Sequence, residues 1–193
     1  MTSRRFTLLS AVPRRRLMGA AITVLGFLGI GEQAAWGEEL PLKAALMATY
    51  LVKFVPFVEW PPRAFVSATS PLTICVVHTA LGRTIDEAAS GQKLAEHPIE
   101  VRHIAAARRD IACHVLFIER SAQQSVADGL NAVQGAPVLT VTDQPDNAPR
   151  RGIINFVVIN NHVRFEINNT EAAKVGLRLS SQLLALAVNT GER

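Results

Sequence analysis

The chain has 193 residues, with 20 lysines and arginines against 16 aspartates and glutamates, and this length suits one domain with its own core. Five of the basic residues, but only one acidic residue, fall within residues 1–37, which leaves 15 of each sign in the remainder. A neutral remainder lacks the cationic excess that phosphate binding requires, so nucleic acid is excluded as a partner.

Residues 1–37 have the pattern of a secretory signal peptide. Three consecutive arginines at 14–16 precede an apolar run at 17–30, and small residues that suit a cleavage site follow it. An uncleaved membrane anchor is the alternative, but this run falls short of the roughly 20 apolar residues that span a bilayer. We therefore predict a cleaved leader over 1–37 and a single exported domain over 38–193.

Residues 40–60 predict a helix that is apolar on nearly all sides and must be covered by other elements. Pro56 removes one backbone donor, so the helix should kink there or give way to an irregular turn. The two prolines at 61–62 should end it.

The middle of the chain alternates short apolar strands with single helices. Such alternation implies right-handed crossovers and a largely parallel sheet covered on both faces. We therefore expect an α/β three-layer sandwich with a mostly parallel sheet of five to six strands that ends in an antiparallel hairpin. The predicted strands cover 72–78, 97–104, 114–119 and 137–141, and the predicted helices cover 81–90 and 122–133.

The hairpin is predicted from two alternating segments, 153–159 and 162–167, that flank a pair of asparagines. Asparagine tolerates the positive φ of a two-residue turn, and this turn would place one continuous apolar face on the core. Asn168 is then expected to cap a single helix over 169–188.

Cys75 and Cys113 both lie in the exported part of the chain. In an oxidising compartment two cysteines can make only one pairing. That bond would stabilise the fold by roughly 4 kcal/mol in the chain-entropy model. The alternative is two buried free thiols, because cysteine packs well as a small hydrophobe. We predict the disulfide, since the common strand order 2-1-3-4 would make the two strands neighbours.

The residue patterns of common catalytic, cofactor and metal sites are missing from the sequence. Cys113 beside His114 could suggest an activated thiolate, but neighbours on a strand face opposite ways. We therefore predict no catalytic residue, cofactor or metal, although an unfamiliar enzyme site stays open as an alternative. The five histidines are scattered without an i, i+4 pair, at His78, His97, His103, His114 and His162.

Two surfaces are candidates for a specific contact. On the first helix, Tyr50 and Phe57 lie seven residues apart on one stripe and are predicted to form an exposed aromatic edge. On the hairpin, Asn155, Arg164 and Glu166 share its polar face and could organise a ligand or the backbone of a partner. The alternatives are burial of the helix inside the monomer and a hairpin face that is merely solvated or covered.

Four blocks of the sequence resemble the YfiR-like proteins, and the resemblance spans residues 40–187. The blocks are KAALMATYLVKFVPFVEWPP, PLTICVV, CHVLFIERS and RGIINFVVINNHVRFEINNTEAAKVGLRLSSQLLALA. The sequence departs from the family pattern at Pro56 and at Arg151, where a second glycine is usual. It also lacks the second cysteine pair that some relatives carry, so redox control by that pair is not transferred to this chain.

The resemblance implies a periplasmic α/β regulator, often dimeric, that is not an enzyme. Such a regulator binds the periplasmic part of an inner-membrane diguanylate cyclase or sensor protein and represses it, which lowers cyclic-di-GMP. An OmpA-like outer-membrane lipoprotein that sequesters the repressor is the second implied partner. The alternative function is a periplasmic small-molecule binding module, which would require a sizeable pocket with a few converging polar groups.

Overall fold

The computed structural model describes residues 36–120 and 122–191. Residues 1–35, which hold most of the predicted leader, lie outside this part of the chain. The described helices are α1 (Trp36–Phe54), α2 (Gly82–Ala89), α3 (Val126–Ala132), α4 (Asn169–Lys174) and α5 (Ser181–Leu186). The described strands are β1 (Val58–Glu59), β2 (Leu72–Val77), β3 (Lys93–Leu94), β4 (His97–Ile104), β5 (Val115–Ile118), β6 (Leu139–Thr142), β7 (Ile154–Ile159), β8 (His162–Ile167) and β9 (Arg178–Leu179).

The main sheet has seven strands in the order β3-β4-β2-β5-β6-β7-β8. The five strands from β4 to β7 in this order run parallel, while β3 and β8 are antiparallel at the two edges. The predicted α/β architecture is confirmed, and so is the order 2-1-3-4 of the first four predicted strands. The predicted count of five to six strands was too low, because β3 is only two residues long and has no apolar alternation to reveal it.

Helices cover both faces of the sheet and create two separate cores. On one face, α1 and α2 pack over a continuous cluster that includes Phe54 and Phe117, which we call the α1-side core. On the other face, α3 covers a smaller cluster around Leu116 and Ile118, the α3-side core. This three-layer arrangement is the one that alternating strands and helices predict.

The first helix ends as its prolines require. α1 gives way at Phe54 to a 3-10 turn over Val55–Phe57, with Pro56 inside that turn. The chain then extends into β1 and forms a second 3-10 turn at Pro62–Ala64. The predicted irregular turn at Pro56 is therefore confirmed.

The prediction of one helix over 169–188 was wrong. Asn168 does cap a helix, since its side chain accepts a hydrogen bond from the Glu171 backbone amide. α4 ends after one and a half turns, however, because the chain turns at Gly176 with φ +82°, a conformation that disfavours other residues. β9 then pairs with β1, and Ser180 caps the separate helix α5.

The hairpin of β7 and β8 has the predicted register. Phe156 faces Phe165 across the two strands, and Asn155 faces Glu166. Asn160 and Asn161 both have positive φ, as a two-residue turn of this kind requires. Along the outer edge of β8, the segment at 188–189 adds backbone hydrogen bonds to Phe165 and Ile167, so the end of the described chain covers part of that edge.

Candidate functional site

The hairpin and the loop before it build a polar cluster at the end of the sheet. Arg151 Nη1 donates to Glu166 Oε2 at 2.7 Å, and the two side chains are only 12% and 14% exposed. Asp146 lies 3.4 Å from the same arginine nitrogen and is far more exposed. The Arg151 side chain supplies the cation that neutralises Glu166, whose side chain is mostly buried.

Asn155 organises the loop that leads into the hairpin. Its Oδ1 accepts hydrogen bonds from Thr142 Oγ1 at 2.7 Å and from the Gln144 backbone amide at 2.8 Å. Its Nδ2 donates to the Gln144 carbonyl oxygen at 2.9 Å. With 3% exposure, this side chain is occupied inside the protein, and the geometry makes it a positioning residue of the loop.

Gly152 allows the loop to enter β7 in very close contact with β6. A Cβ atom at this position would lie 2.7 Å from the Thr140 carbonyl oxygen, which is closer than carbon and oxygen can approach without displacement. The Gly152 amide donates to Thr142 Oγ1 and the Ile153 amide donates to Thr140 Oγ1, each at 2.9 Å. Two threonines of β6 therefore hold the loop exit in place.

A cleft of about 590 Å³ lies beside this cluster. Its walls come from the loop at 146–153, from β8 and its continuation, from α4 and from the end of the described chain. Both cationic and anionic side chains line it, so the cleft is polar rather than the apolar pocket that ligand sites usually present. The lining includes Arg150, Arg151, Glu166, Asn168, Lys174 and Asn189.

A second, smaller cavity of about 370 Å³ lies near the carboxyl ends of β6 and β7. Asp143 lines it, and burial raises the pKa of this carboxyl above its usual range. The Arg120 backbone amide donates to the same carboxyl at 2.5 Å. Sequence analysis did not single out Asp143, although the carboxyl ends of parallel strands are where α/β proteins commonly bind ligands.

The two aromatic candidates on the first helix are half-buried. The Tyr50 ring stacks on Phe54 at a centroid distance of 6.1 Å and meets Phe165 edge-on at 5.8 Å. Phe57 likewise packs against the α1-side core. Each therefore serves the core with one side and leaves only its remaining surface for a partner.

Other apolar side chains of this region are more exposed than the predicted aromatic edge. Leu42 on α1 is 70% exposed, and Val158 and Ile159 at the hairpin tip are 59% and 45% exposed. Lys43 links these two places through a hydrogen bond to the side chain of Asn161. The sequence did carry a signal for this exposed area. The apolar residues of β7 continue to Ile159, beyond the part of the strand that the core covers.

Arg164 is exposed on the polar face of the hairpin, opposite Val157. Of the three hairpin candidates it presents the most open surface, because Asn155 is buried and Glu166 is paired with Arg151. The structure thus places the three on one face, as predicted, but gives them different surroundings.

Cys75 and Cys113 form a disulfide with their Cα atoms 5.7 Å apart. The bond joins β2 to the residue that leads into β5, its neighbour in the sheet. Because both sulfur atoms are bonded, Cys113 is not available in this state as the thiolate that its histidine neighbour had suggested.

The histidines do not assemble into a metal site in the described part of the chain, where no group of three or more metal-binding side chains occurs. His103 bonds to Asp86 at 2.9 Å on the surface. His97 and His114 lie on either side of the Phe65 ring.

None of the helices in the described ranges is long and apolar enough to cross a bilayer.

These features define an α/β domain with a disulfide-linked sheet, a polar cleft at the base of its hairpin and an exposed apolar tip at the hairpin's other end. The chain matches the YfiR/HmsC-like family model over residues 44–188, which is most of its length. It therefore belongs to the YfiR/HmsC-like family, a family of regulators rather than enzymes. A comparison with curated proteins finds no match.

Proposed function

We propose that this protein is a periplasmic repressor that binds the periplasmic part of an inner-membrane signalling protein, most directly a diguanylate cyclase, and thereby lowers cyclic-di-GMP. The observation that carries the proposal is the family match over residues 44–188. The disulfide supports an exported protein, since such bonds persist in oxidising compartments such as the bacterial periplasm.

The contact surface that we propose is the hairpin with the adjoining part of α1. Arg164 supplies an exposed cation on it, and Val158 and Ile159 supply exposed apolar area. Tyr50 and Phe57 lie on the opposite, α1-covered face of the hairpin, where their uncovered sides offer a second contact area. Asn155 and Glu166 organise the base of the hairpin on the Arg164 face. Apolar area with a polar rim is the usual composition of a protein interface.

The test is capture of membrane proteins by the tagged mature domain from detergent-solubilised membranes. We expect recovery of an inner-membrane protein with a periplasmic sensory region and loss of most of it with Arg164→Glu, because charge reversal at an interface repels the partner's complementary group. Arg102→Glu, an exposed arginine of β4 near the opposite edge of the sheet, is the matched control and should capture normally.

Recovery of only soluble periplasmic proteins, under both oxidising and reducing conditions, would contradict the proposed membrane partner. An OmpA-like lipoprotein in the captured fraction would support the second proposed partner. Analytical ultracentrifugation of the same variants would show whether the proposed homodimer uses this surface as well.

The cleft favours a second candidate function, a small-molecule binding module. Its volume of about 590 Å³ lies within the range of about 300 to 1,000 Å³ that ligand pockets occupy. A module of this kind should retain a small molecule through purification, which mass spectrometry of the denatured protein would detect. Membrane capture without any retained molecule would leave the repressor as the function of choice.

A further inference from the structure

His114 immediately precedes β5 and is buried, with 7% exposure. Its Nδ1 accepts a hydrogen bond from the Thr73 backbone amide at 3.0 Å. Its Nε2 lies 2.9 Å from the Ala64 carbonyl oxygen, which can only accept. The Nε2 atom must therefore carry the proton and Nδ1 must not, so these two contacts select one neutral tautomer of the imidazole.

The Ala64 contact belongs to a chain segment, residues 60–70, that covers the ends of β2 and β4; we call it the covering segment. Its Phe65 ring stacks between His114, at a centroid distance of 4.5 Å, and His97, at 4.0 Å. Trp60 Nε1 donates to the His114 carbonyl oxygen at 3.3 Å. The Phe65 ring of the covering segment is therefore held between two imidazoles.

Three hydrogen bonds join the covering segment to the rest of the described chain, and each involves one of these histidines. Two are the bonds of His114 to Trp60 and Ala64. The third joins His97 Nδ1 to the Ser70 carbonyl oxygen at 2.6 Å. The remaining described hydrogen bonds of the segment close its own turns, so its attachment depends on the two imidazole rings, on the His114 carbonyl and on aromatic packing.

Protonation affects the two histidines differently. His97 Nδ1 donates to Ser70 in the neutral form and can still donate when the ring is charged. A second proton on His114 would sit on Nδ1, directly against the Thr73 N–H donor, although Nε2 could still donate to Ala64. The charged ring therefore cannot keep its position, and turning away from Thr73 displaces its contacts with Ala64 and Phe65. Burial lowers the pKa of His114 below its ordinary value, and the nearby charge of His97 acts in the same direction.

We propose that His114 is an acid-sensitive latch, which holds the covering segment on the sheet while its ring is neutral and releases the segment when the ring is protonated. Release would uncover Trp60 and Phe65, two aromatic side chains of the kind that anchor protein contacts. His97 on β4 is the titratable group that faces the latch. β2 and β6 present Thr73 and Leu139 backbone groups to it, and the covering segment's charged Arg63 is exposed.

The direction of the pH effect follows from the lowered pKa. Above the unfolded histidine pKa of about 6.5 both the folded and unfolded chains carry a neutral ring, so the latch is fully effective there. Below that value the open or unfolded chain binds the proton more readily than the closed one. The closed state is therefore destabilised progressively as the pH falls toward the folded pKa.

The experiment follows the fluorescence of Trp60 in the mature domain over 38–193, where it is the only tryptophan because Trp36 falls in the predicted leader. We expect protected, quencher-resistant emission at neutral pH and a severalfold rise in acrylamide quenching below about pH 6, with far-UV circular dichroism unchanged. His114→Gln is the matched variant, since a glutamine amide can accept from Thr73 and donate to Ala64 without titrating, and it should abolish the transition. His97→Gln should keep it.

A transition that persists in His114→Gln, or Trp60 emission in the parent that stays protected through the acid range, would overturn the latch. If His114→Gln does not fold, the ring nitrogen NMR signals of the parent decide the question. Protonation of His114 accompanied by faster exchange of the Thr73 amide supports the proposal. Protonation with that amide still protected, or a ring that stays neutral, contradicts it.

Discussion

The two faces of the sheet are stabilised in different ways. The α1-side core contains 24 buried residues in the described chain, among them the phenylalanines at 54, 117, 156 and 165. The α3-side core contains seven, none of them aromatic, and one of these is Cys75 of the disulfide. Where the sheet is covered by a long apolar helix, packing alone can hold it. On the other face, where α3 has only seven residues, the disulfide supplies part of the stability that packing does not.

Phe54→Ala should produce the largest loss of stability, because it removes the centre of the aromatic cluster. The Phe54 ring is 2% exposed and lies 5.0 Å from Phe165 and 5.9 Å from Phe156 between ring centroids. Truncation of a buried phenylalanine costs about 3 to 5 kcal/mol, which approaches the whole stability of many domains. The measurement is urea unfolding, with Phe54→Leu as the control that should lose much less.

Equal unfolding midpoints for Phe54→Ala and Phe54→Leu would contradict this account, since they would show that the cavity collapses without loss. In that case packing alone would not account for the stability of the α1-side core, just as it does not for the α3-side core with its disulfide.

Removal of the disulfide tests the opposite face. The double substitution Cys75→Ala, Cys113→Ala should lower the free energy of unfolding by about 2 to 4 kcal/mol, because the unfolded chain regains the freedom that the bond restricts. Reduction of the parent with dithiothreitol should reproduce most of that loss. Titration of the unfolded, unreduced parent should find no free thiol, and two free thiols per chain would exclude the bond in the exported protein.

Val133→Ala should have the smallest effect of the three substitutions. Val133 is 7% exposed in the α3-side core, and the loss of two methyl groups corresponds to about 1 to 2 kcal/mol of transfer free energy. The disulfide limits the unfolded ensemble but does not fill the space that valine leaves. The substitution should therefore cost a similar amount in the oxidised parent and in the cysteine-free variant, and clear non-additivity would show that bond and packing are coupled.

The sequence predicted the elements that depend on local alternation. The hairpin register follows from apolar residues at every second position and from Asn160 and Asn161 in the turn. The pairing of Cys75 with Cys113 follows from the strand order, since neighbouring parallel strands bring the two residues within reach. These features are set by side chains close in the chain or by a topology with few alternatives.

The elements that were missed depend on partners distant in the chain. β1 and β9 are each two residues long, so neither has a periodicity, and each becomes a strand only because the other lies beside it. The Arg151–Glu166 pair and the contact of His114 with Ala64 join residues 15 and 50 positions apart. The sequence identified Glu166 as a candidate. It could not identify Arg151 as the neutralising cation, because the loop at 146–153 brings the two together only in the folded protein.

The partial cover on the edge of β8 has a consequence for how the protein behaves in a crowded compartment. A bare outer strand is a template on which another chain can add, and long exposed edges lead to filaments and aggregates. Here the Val188 amide donates to the Phe165 carbonyl, and the Ile167 amide donates to the Asn189 carbonyl. These bonds occupy the part of the edge that lies away from the hairpin tip. Shortening the chain before residue 188 should therefore convert a self-limiting fold into one that is prone to polymerise.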